Sequence, residues 1–231
     1  MNKEGKMQAV VETIFDCVYL VTVITIGITM IIKCKNNAQF RLFGFMAVIL
    51  GVGDSFHFVP RCIALCTTGL ENYALFLGIG KLITSITMTV FYILLYHVWL
   101  LRYKEKKTKF LTISIYALAL IRLLLCIMPQ NNWLTNNSPL SCGIYRNIPF
   151  ALIGLIVIIL FYKSAKKNND KNFKWLYLTI ILSFGFYIPV VLFANTIPMI
   201  GMLMIPKTCA YVWTVMIGYV AMRRELKNEE Q

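Results

Sequence analysis

The chain has 231 residues, of which 58% are hydrophobic, and its mean hydropathy is +0.69. Soluble domains are about 45–50% apolar, so this composition excludes an ordinary soluble enzyme and favours a protein whose solvent is lipid. The chain is basic, with 23 Lys and Arg against 10 Asp and Glu. Because most of these cations lie in short loops between apolar runs, they indicate membrane topology rather than nucleic-acid binding.

Seven apolar segments have, or come close to, the length of about 20 residues that a membrane-spanning helix needs. In chain order they are 9–32, 42–66, 73–101, 110–128, 147–162, 174–195 and 199–222. No small-residue cleavage pattern follows the first segment, so we expect a retained helix rather than a signal peptide. The sequence therefore predicts an all-α, polytopic membrane protein, with residues 1–231 as a single integral membrane domain that forms a seven-transmembrane-helix bundle.

The basic residues also predict the orientation of this bundle. Alternate loops and the C-terminal segment collect Lys33, Lys35, Arg41, Arg102, Lys104, Lys106, Lys107, Lys109, Lys163, Lys166, Lys167, Lys171, Lys174, Arg223, Arg224 and Lys227. The opposite side has only Lys3, Lys6 and the boundary residue Arg146. Since cytoplasmic loops carry the excess of Lys and Arg, we expect the N-terminus outside and the C-terminus in the cytoplasm.

The sequence has none of the usual metal or nucleophile motifs. The seven cysteines show no CxxC spacing, and HxxxH, HExxH and Gly-x-Ser-x-Gly are absent, so we expect no metal and no cofactor. Cys66 and Cys142 both fall on the predicted outer side and could pair, although an unpaired thiol is the commoner outcome.

Ionisable residues inside the predicted helices are the most informative feature, because such residues are costly in lipid and usually mark functional sites. Those that lie well away from the segment ends are Asp16, Asp54, Arg61, Lys81, Arg122 and Lys207, with His57 beside them. With a rise of about 1.5 Å per residue, all of these charges lie about 7–18 Å from the predicted outer ends of their helices. We therefore expect one cluster in the outer half of the membrane or at its midplane.

Three predicted helices carry polar stripes. In the second, Asp54, His57 and Arg61 are spaced i, i+3 and i+7, which places them on one helix face, and Pro60 favours a bend there. The third and seventh helices contribute Lys81, Ser85, Tyr92, Lys207, Tyr211 and Thr214.

The cluster contains more cations than carboxylates, and such an excess is hard to sustain at low dielectric without an anion. We therefore expect an outward-facing cationic pocket that binds a phosphate, a carboxylate or a lipid head group. The candidate ligand-binding residues are Asp16, Arg61, Lys81, Ser85, Arg122, Arg146, Lys207 and Tyr211. The alternative is that the acids and lysines form interhelical pairs that fix packing, while Arg61 and Arg122 extend to the membrane surface.

The pattern of Gly53-Asp54, Pro60-Arg61 and the stretch Phe91 to Tyr96 resembles the YhhN-like lysoplasmalogenases, polytopic enzymes that hydrolyse the vinyl ether of lysolipids. The resemblance covers about a fifth of the chain. It implies that Asp54 is a catalytic acid that protonates the enol ether, and its helix-face neighbour His57 is the candidate base. The intramembrane aspartates of the later helices of that family have no counterpart in this chain.

Three function classes remain open: a binding protein or receptor, a lipid-active hydrolase using Asp54 and His57, and a secondary transporter for an anion or a proton-coupled substrate. The expected partners are membrane lipid and an anionic small molecule, without nucleic acid. The Lys, Ile and Asn content indicates an AT-rich bacterial genome, so we expect a multi-pass protein of the plasma (cytoplasmic) membrane.

Overall fold

The computed structural model describes residues 3–67, 69–104, 109–135, 138–194 and 196–228. Within these ranges the chain forms seven long helices: α1 (Lys3–Lys33), α2 (Ala38–Cys66), α3 (Ala74–Tyr103), α4 (Lys109–Ile127), α5 (Leu140–Lys167), α6 (Leu176–Phe193) and α7 (Met204–Asn228). Short 3₁₀ turns precede α3 and α7, and two more lie between α4 and α5. All seven helices are long and apolar enough to cross a membrane. The protein is an all-α, multi-pass membrane protein.

The largest difference from the predicted segments is in α5, which starts at Leu140 rather than at 147 and continues to Lys167. Polar residues made both ends look like loop in the sequence. The helix tolerates them because its first turn follows Pro139, and Asn168 closes its last turn through a backbone hydrogen bond to Ser164.

Consecutive helices pack antiparallel, so one end of the bundle, here called the N-terminal end, holds the starts of α1, α3, α5 and α7. Orientation in the membrane remains a prediction. Among the residues on which it rests, Lys106 and Lys107 lie outside the described residues, as do the side chains of Lys3 and Lys6.

The position of α2 is fixed by close backbone contact with both neighbours. A Cβ on Gly27 of α1 would lie 2.9 Å from the Gly44 carbonyl oxygen, and a Cβ on Gly44 would lie 2.8 Å from that of Gly27. On the other side, a Cβ on Gly80 of α3 would collide with the backbone at Phe56. Small residues permit this approach between membrane helices, and they hold Asp54 at a fixed depth between α1 and α3.

Aromatic rings from α3, α5, α6 and α7 fill the centre of the bundle. Phe150 is the hub, with ring centroids 5.0 Å from Tyr92, 5.0 Å from Phe184 and 6.3 Å from Tyr187. Tyr211 is joined to this group through Phe91. Two of the charged side chains that the sequence predicts inside the membrane, Arg122 and Lys207, lie against these rings.

Candidate functional site

Arg122 is the most deeply buried cation of the candidate set, with 2% of its surface exposed. It belongs to the buried stripe of α4, together with Ile115, Ala119 and Cys126, at the spacing of one helix face. Its guanidinium carbon lies 3.3 Å from the ring centroid of Phe150. Arg122 therefore points into the bundle and does not extend to the membrane surface.

The nitrogens of Arg122 are poorly satisfied. Nε and Nη1 are buried and have no hydrogen-bond partner, and the groups that interact with the guanidinium are the side chains of Cys126, Tyr187 and Tyr211. Ring faces stabilise a cation, but N–H groups need an acceptor in the plane of the guanidinium. A buried N–H group without an acceptor costs about 1–3 kcal/mol, and more when it is charged.

Lys207 of α7 lies within electrostatic range of Arg122. Its Nζ is 4.7 Å from the ring centroid of Tyr187 and 5.5 Å from that of Tyr211. It repels Arg122 and attracts Asp54, yet no carboxylate of the described residues reaches it at ion-pair distance. Two cations thus share an aromatic cage without a paired anion.

Asp54 is the acidic group that interacts with Lys207. Its Oδ2 accepts a hydrogen bond of 2.6 Å from the Tyr19 hydroxyl of α1, and its carboxylate interacts with Lys207. Asp54 and Lys207 are both partly exposed, unlike Arg122.

Hydroxyl groups complete the surroundings of the two cations. The Tyr92 hydroxyl is fully buried without a hydrogen-bond partner, and Ser183 and Tyr211 are its polar neighbours. We define the Arg122–Lys207 site as Tyr92, Arg122, Ser183, Lys207 and Tyr211, with Asp54 at its edge. Its donors outnumber its acceptors, an arrangement suited to an anion.

Two other carboxylates near α2, those of Glu12 and Asp16, interact with residues outside this site. Arg61 forms an ion pair with Glu12 of α1, and Asp16, which is buried, accepts a long contact of 3.9 Å from the Cys62 thiol. The sequence pattern pointed to Asp16 and Arg61 but not to Glu12, because that residue lies near the start of the first apolar segment.

Two further candidates, Arg146 and Lys81, are not brought into the Arg122–Lys207 site, and a third, Ser85, is linked to it only through the Cys126 thiol. Arg146 Nη1 donates to Asn131 Oδ1 at 2.6 Å and to Ser138 Oγ at 2.9 Å, which fixes the connection between α4 and α5. Lys81 is exposed, and the Ser85 hydroxyl donates to the Lys81 carbonyl at 2.8 Å within α3.

The predicted acid and base of α2 have different neighbours. Asp54 faces α1 through Tyr19, whereas His57 Nδ1 lies 3.3 Å from the Leu77 carbonyl oxygen of α3. One turn of helix separates them, and each is held by a different helix.

All seven cysteines are free thiols, including Cys66 and Cys142, which the sequence allowed as a disulfide.

Comparisons with protein-family models, with curated proteins and with solved structures find no match to this chain.

Proposed function

We propose that this multi-pass membrane protein binds an anionic small molecule or lipid head group at the Arg122–Lys207 site. The observation that carries the proposal is Arg122, a buried guanidinium with two nitrogens that lack an acceptor. Breaking a buried charge pair costs about 3–5 kcal/mol, so a cation that permanently lacks a counter-ion is an expensive feature. An anionic ligand would supply both the charge and the acceptors.

Charge and donor chemistry define the class of ligand. Arg122 and Lys207 carry two positive charges, and Asp54 at the edge of the site offsets one of them when ionised. A carboxylate or a phosphate would accept hydrogen bonds from the guanidinium, the ammonium and the Tyr92 hydroxyl, and charge-assisted bonds of this type are stronger than neutral ones. Aromatic rings around the two cations would exclude water from the bound group.

The partial exposure of Asp54 and Lys207 supports access to the site from the N-terminal end. By the distribution of Lys and Arg this end faces the exterior, so the ligand would enter from the outer leaflet or the outside medium. The ligand would then meet Lys207 before Arg122.

The test is a thermal-stability titration of the purified protein in detergent with inorganic phosphate, a short-chain carboxylate, a fatty acid and a lysophospholipid. We expect at least one anion to raise Tm in a saturable manner. Arg122→Gln and Lys207→Gln should each weaken its apparent affinity by at least about tenfold, because each removes a charge-assisted bond.

Arg223→Gln is the matched control for this titration, because it removes one exposed cation at the opposite end of the bundle. It should leave the affinity unchanged. An equal loss of affinity in all three variants would show a non-specific effect of net charge, and unchanged affinity in both site variants would overturn the proposal.

A second candidate function is a lipid-active hydrolase of the lysoplasmalogenase type. The observation that favours it is the electrostatic attraction between the Asp54 carboxyl and Lys207, since an acid within range of the cations could reach a lipid whose head group they hold. In that case the Arg122–Lys207 site would bind substrate and Asp54 would transfer the proton.

A further inference from the structure

A groove of about 620 Å³ lies at the opposite end of the bundle, between the end of α5 and the start of α6. It is lined by Tyr162, Ala165, Lys166, Asn169, Asp170, Lys171, Lys174, Trp175 and Tyr177. The groove shares no residue with the Arg122–Lys207 site, so its role is independent of the function proposed for that site.

The loop that forms one wall of this groove is held in place by an ion-pair network. Asp170 receives two hydrogen bonds from the Arg102 guanidinium, at 2.8 and 3.0 Å, and two more from the backbone N–H groups of Asn172 and Phe173. Arg102 also pairs with Glu225 of α7 at 2.5 Å. The network ties α3, the loop and α7 together and presents the lysines of the loop in a fixed arrangement.

This network also holds Asp170, the one carboxylate among the residues that line the groove. Burial alone would raise the pKa of Asp170, but the hydrogen bonds and the charge of Arg102, together with the backbone N–H groups, hold that pKa below its ordinary value. Its charge is therefore present at neutral pH, and Arg102 is shared between it and Glu225. Three of the residues that line the groove are lysines and Asp170 alone is acidic, so the groove has an excess of positive charge.

Three exposed lysines supply that charge: Lys166 at the end of α5, and Lys171 and Lys174 in the loop. None of them forms an ion pair with a carboxylate of the described residues. The Lys174 Nζ lies 5.1 Å from the Trp175 ring centroid, so this ammonium is attracted towards the groove by an aromatic face.

The membrane side of the groove is aromatic. Tyr162 of α5 and Tyr177 of α6 pack edge to face with centroids 5.1 Å apart, and Tyr162 and Trp175 are 45% and 46% exposed. Tyr and Trp with a polar tip and an apolar body are enriched at the level of lipid head groups. The lysines therefore lie at the depth at which a phospholipid phosphate would lie.

We infer that this groove is a docking site for the phosphate of an anionic phospholipid, with Lys166, Lys171 and Lys174 around the head group and the acyl chains along Tyr162 and Tyr177. Basic pockets at the helix ends of membrane proteins bind such head groups. The fixed loop makes this a discrete site rather than a diffuse attraction between loop lysines and the membrane surface.

Native mass spectrometry of the protein in mixed micelles of phosphatidylglycerol and phosphatidylcholine tests this inference. The groove variant is Lys166→Gln/Lys171→Gln/Lys174→Gln. Its matched control, Lys33→Gln/Lys109→Gln/Lys227→Gln, removes the same number of exposed charges from the same end of the bundle.

Wild type and control should retain a phosphatidylglycerol molecule in preference to phosphatidylcholine. In the groove variant the ratio of bound phosphatidylglycerol to bound phosphatidylcholine should be about 10- to 100-fold lower. Equal loss in both triple variants, or in neither, would overturn the inference. So would displacement of the lipid by glycerol 3-phosphate at matched concentration, which would indicate a site for free phosphate. Arg122→Gln should not change the phosphatidylglycerol that the groove variant loses, so failure of this inference and failure of the proposed function are distinguishable.

Discussion

The guanidinium of Arg122 lies 3.3 Å from the ring centroid of Phe150, in a position where the ring satisfies one face of the cation and two of its nitrogens remain without an acceptor. A residue kept for packing alone would be expected to have its donors satisfied, because buried polar groups almost always are. The unsatisfied nitrogens of Arg122 are therefore the structural feature on which the proposed anion site rests.

Replacement of Arg122 by methionine should leave the thermal stability of the anion-free protein unchanged or raise it. Methionine retains a long side chain against Phe150 while removing the unpaired charge, and such replacements are often neutral or stabilising. Arg122→Ala should instead lower stability by about 2–5 kcal/mol through the cavity that it leaves. Thermal unfolding in anion-poor detergent measures both, and a Met variant as unstable as the Ala variant would contradict this prediction.

Asp54→Asn distinguishes the two candidate functions. If the protein only binds an anion, the variant should retain that anion, because the amide keeps the shape of the carboxyl and removes a negative charge that attracts Lys207. If the protein is a hydrolase, the variant should bind a lysolipid vinyl ether but no longer turn it over, since an amide cannot deliver the proton. Aldehyde release from that substrate, compared with wild type and with His57→Gln, provides the measurement.

Asp170→Asn should change how stability depends on pH. The pKa of Asp170 is lowered in the folded protein, so its ionised form contributes stability that is fully present above the unfolded pKa of about 3.9. That contribution is lost as the pH falls through the lower folded pKa. Wild type should therefore be more stable than Asp170→Asn at pH 7, and the difference in Tm should shrink below about pH 4. A difference that stays constant across that range would contradict the ion-pair network.

Gly44→Ala tests the packing of α1 on α2. The added methyl would lie 2.8 Å from both the Gly27 carbonyl oxygen and the Ile31 side chain, and overpacking of this type costs about 1–3 kcal/mol. Gly185→Ala is the control, because nothing lies within 4 Å of a Cβ there. It should be neutral or stabilising by up to about 1 kcal/mol, in line with the helix propensity of alanine. Equal Tm values for the two variants would refute the close contact.

The sequence predicted the seven helices well because hydropathy alone determines them. It also pointed to Asp54, Arg122 and Lys207, since charges stand out in apolar segments. It could not show that Asp54 and His57 face different helices, because both lie on one stripe and only the positions of α1 and α3 separate them. Ser183 carried no signal, as hydroxyl residues are ordinary in membrane helices.

Interactions between residues far apart in the chain could not be predicted from the sequence, for a similar reason. Arg102, Asp170 and Glu225 are far apart in the chain, and in the sequence each looks like a solvated charge near a helix end. Their network exists only once α3 and α7 pack beside the loop between α5 and α6. The same packing creates the lysine groove, which the sequence shows merely as one of several basic loops.

Native mass spectrometry of the protein after gentle extraction from its membrane tests the proposed anion site most directly. Apart from any phospholipid held in the lysine groove, we expect wild type and Arg223→Gln to carry one bound anion, and Arg122→Met and Lys207→Met, both folded, to have lost it. Retention of that second anion in all four proteins, or a wild type without it that no added carboxylate or phosphate stabilises, would contradict an anion site at Arg122 and Lys207.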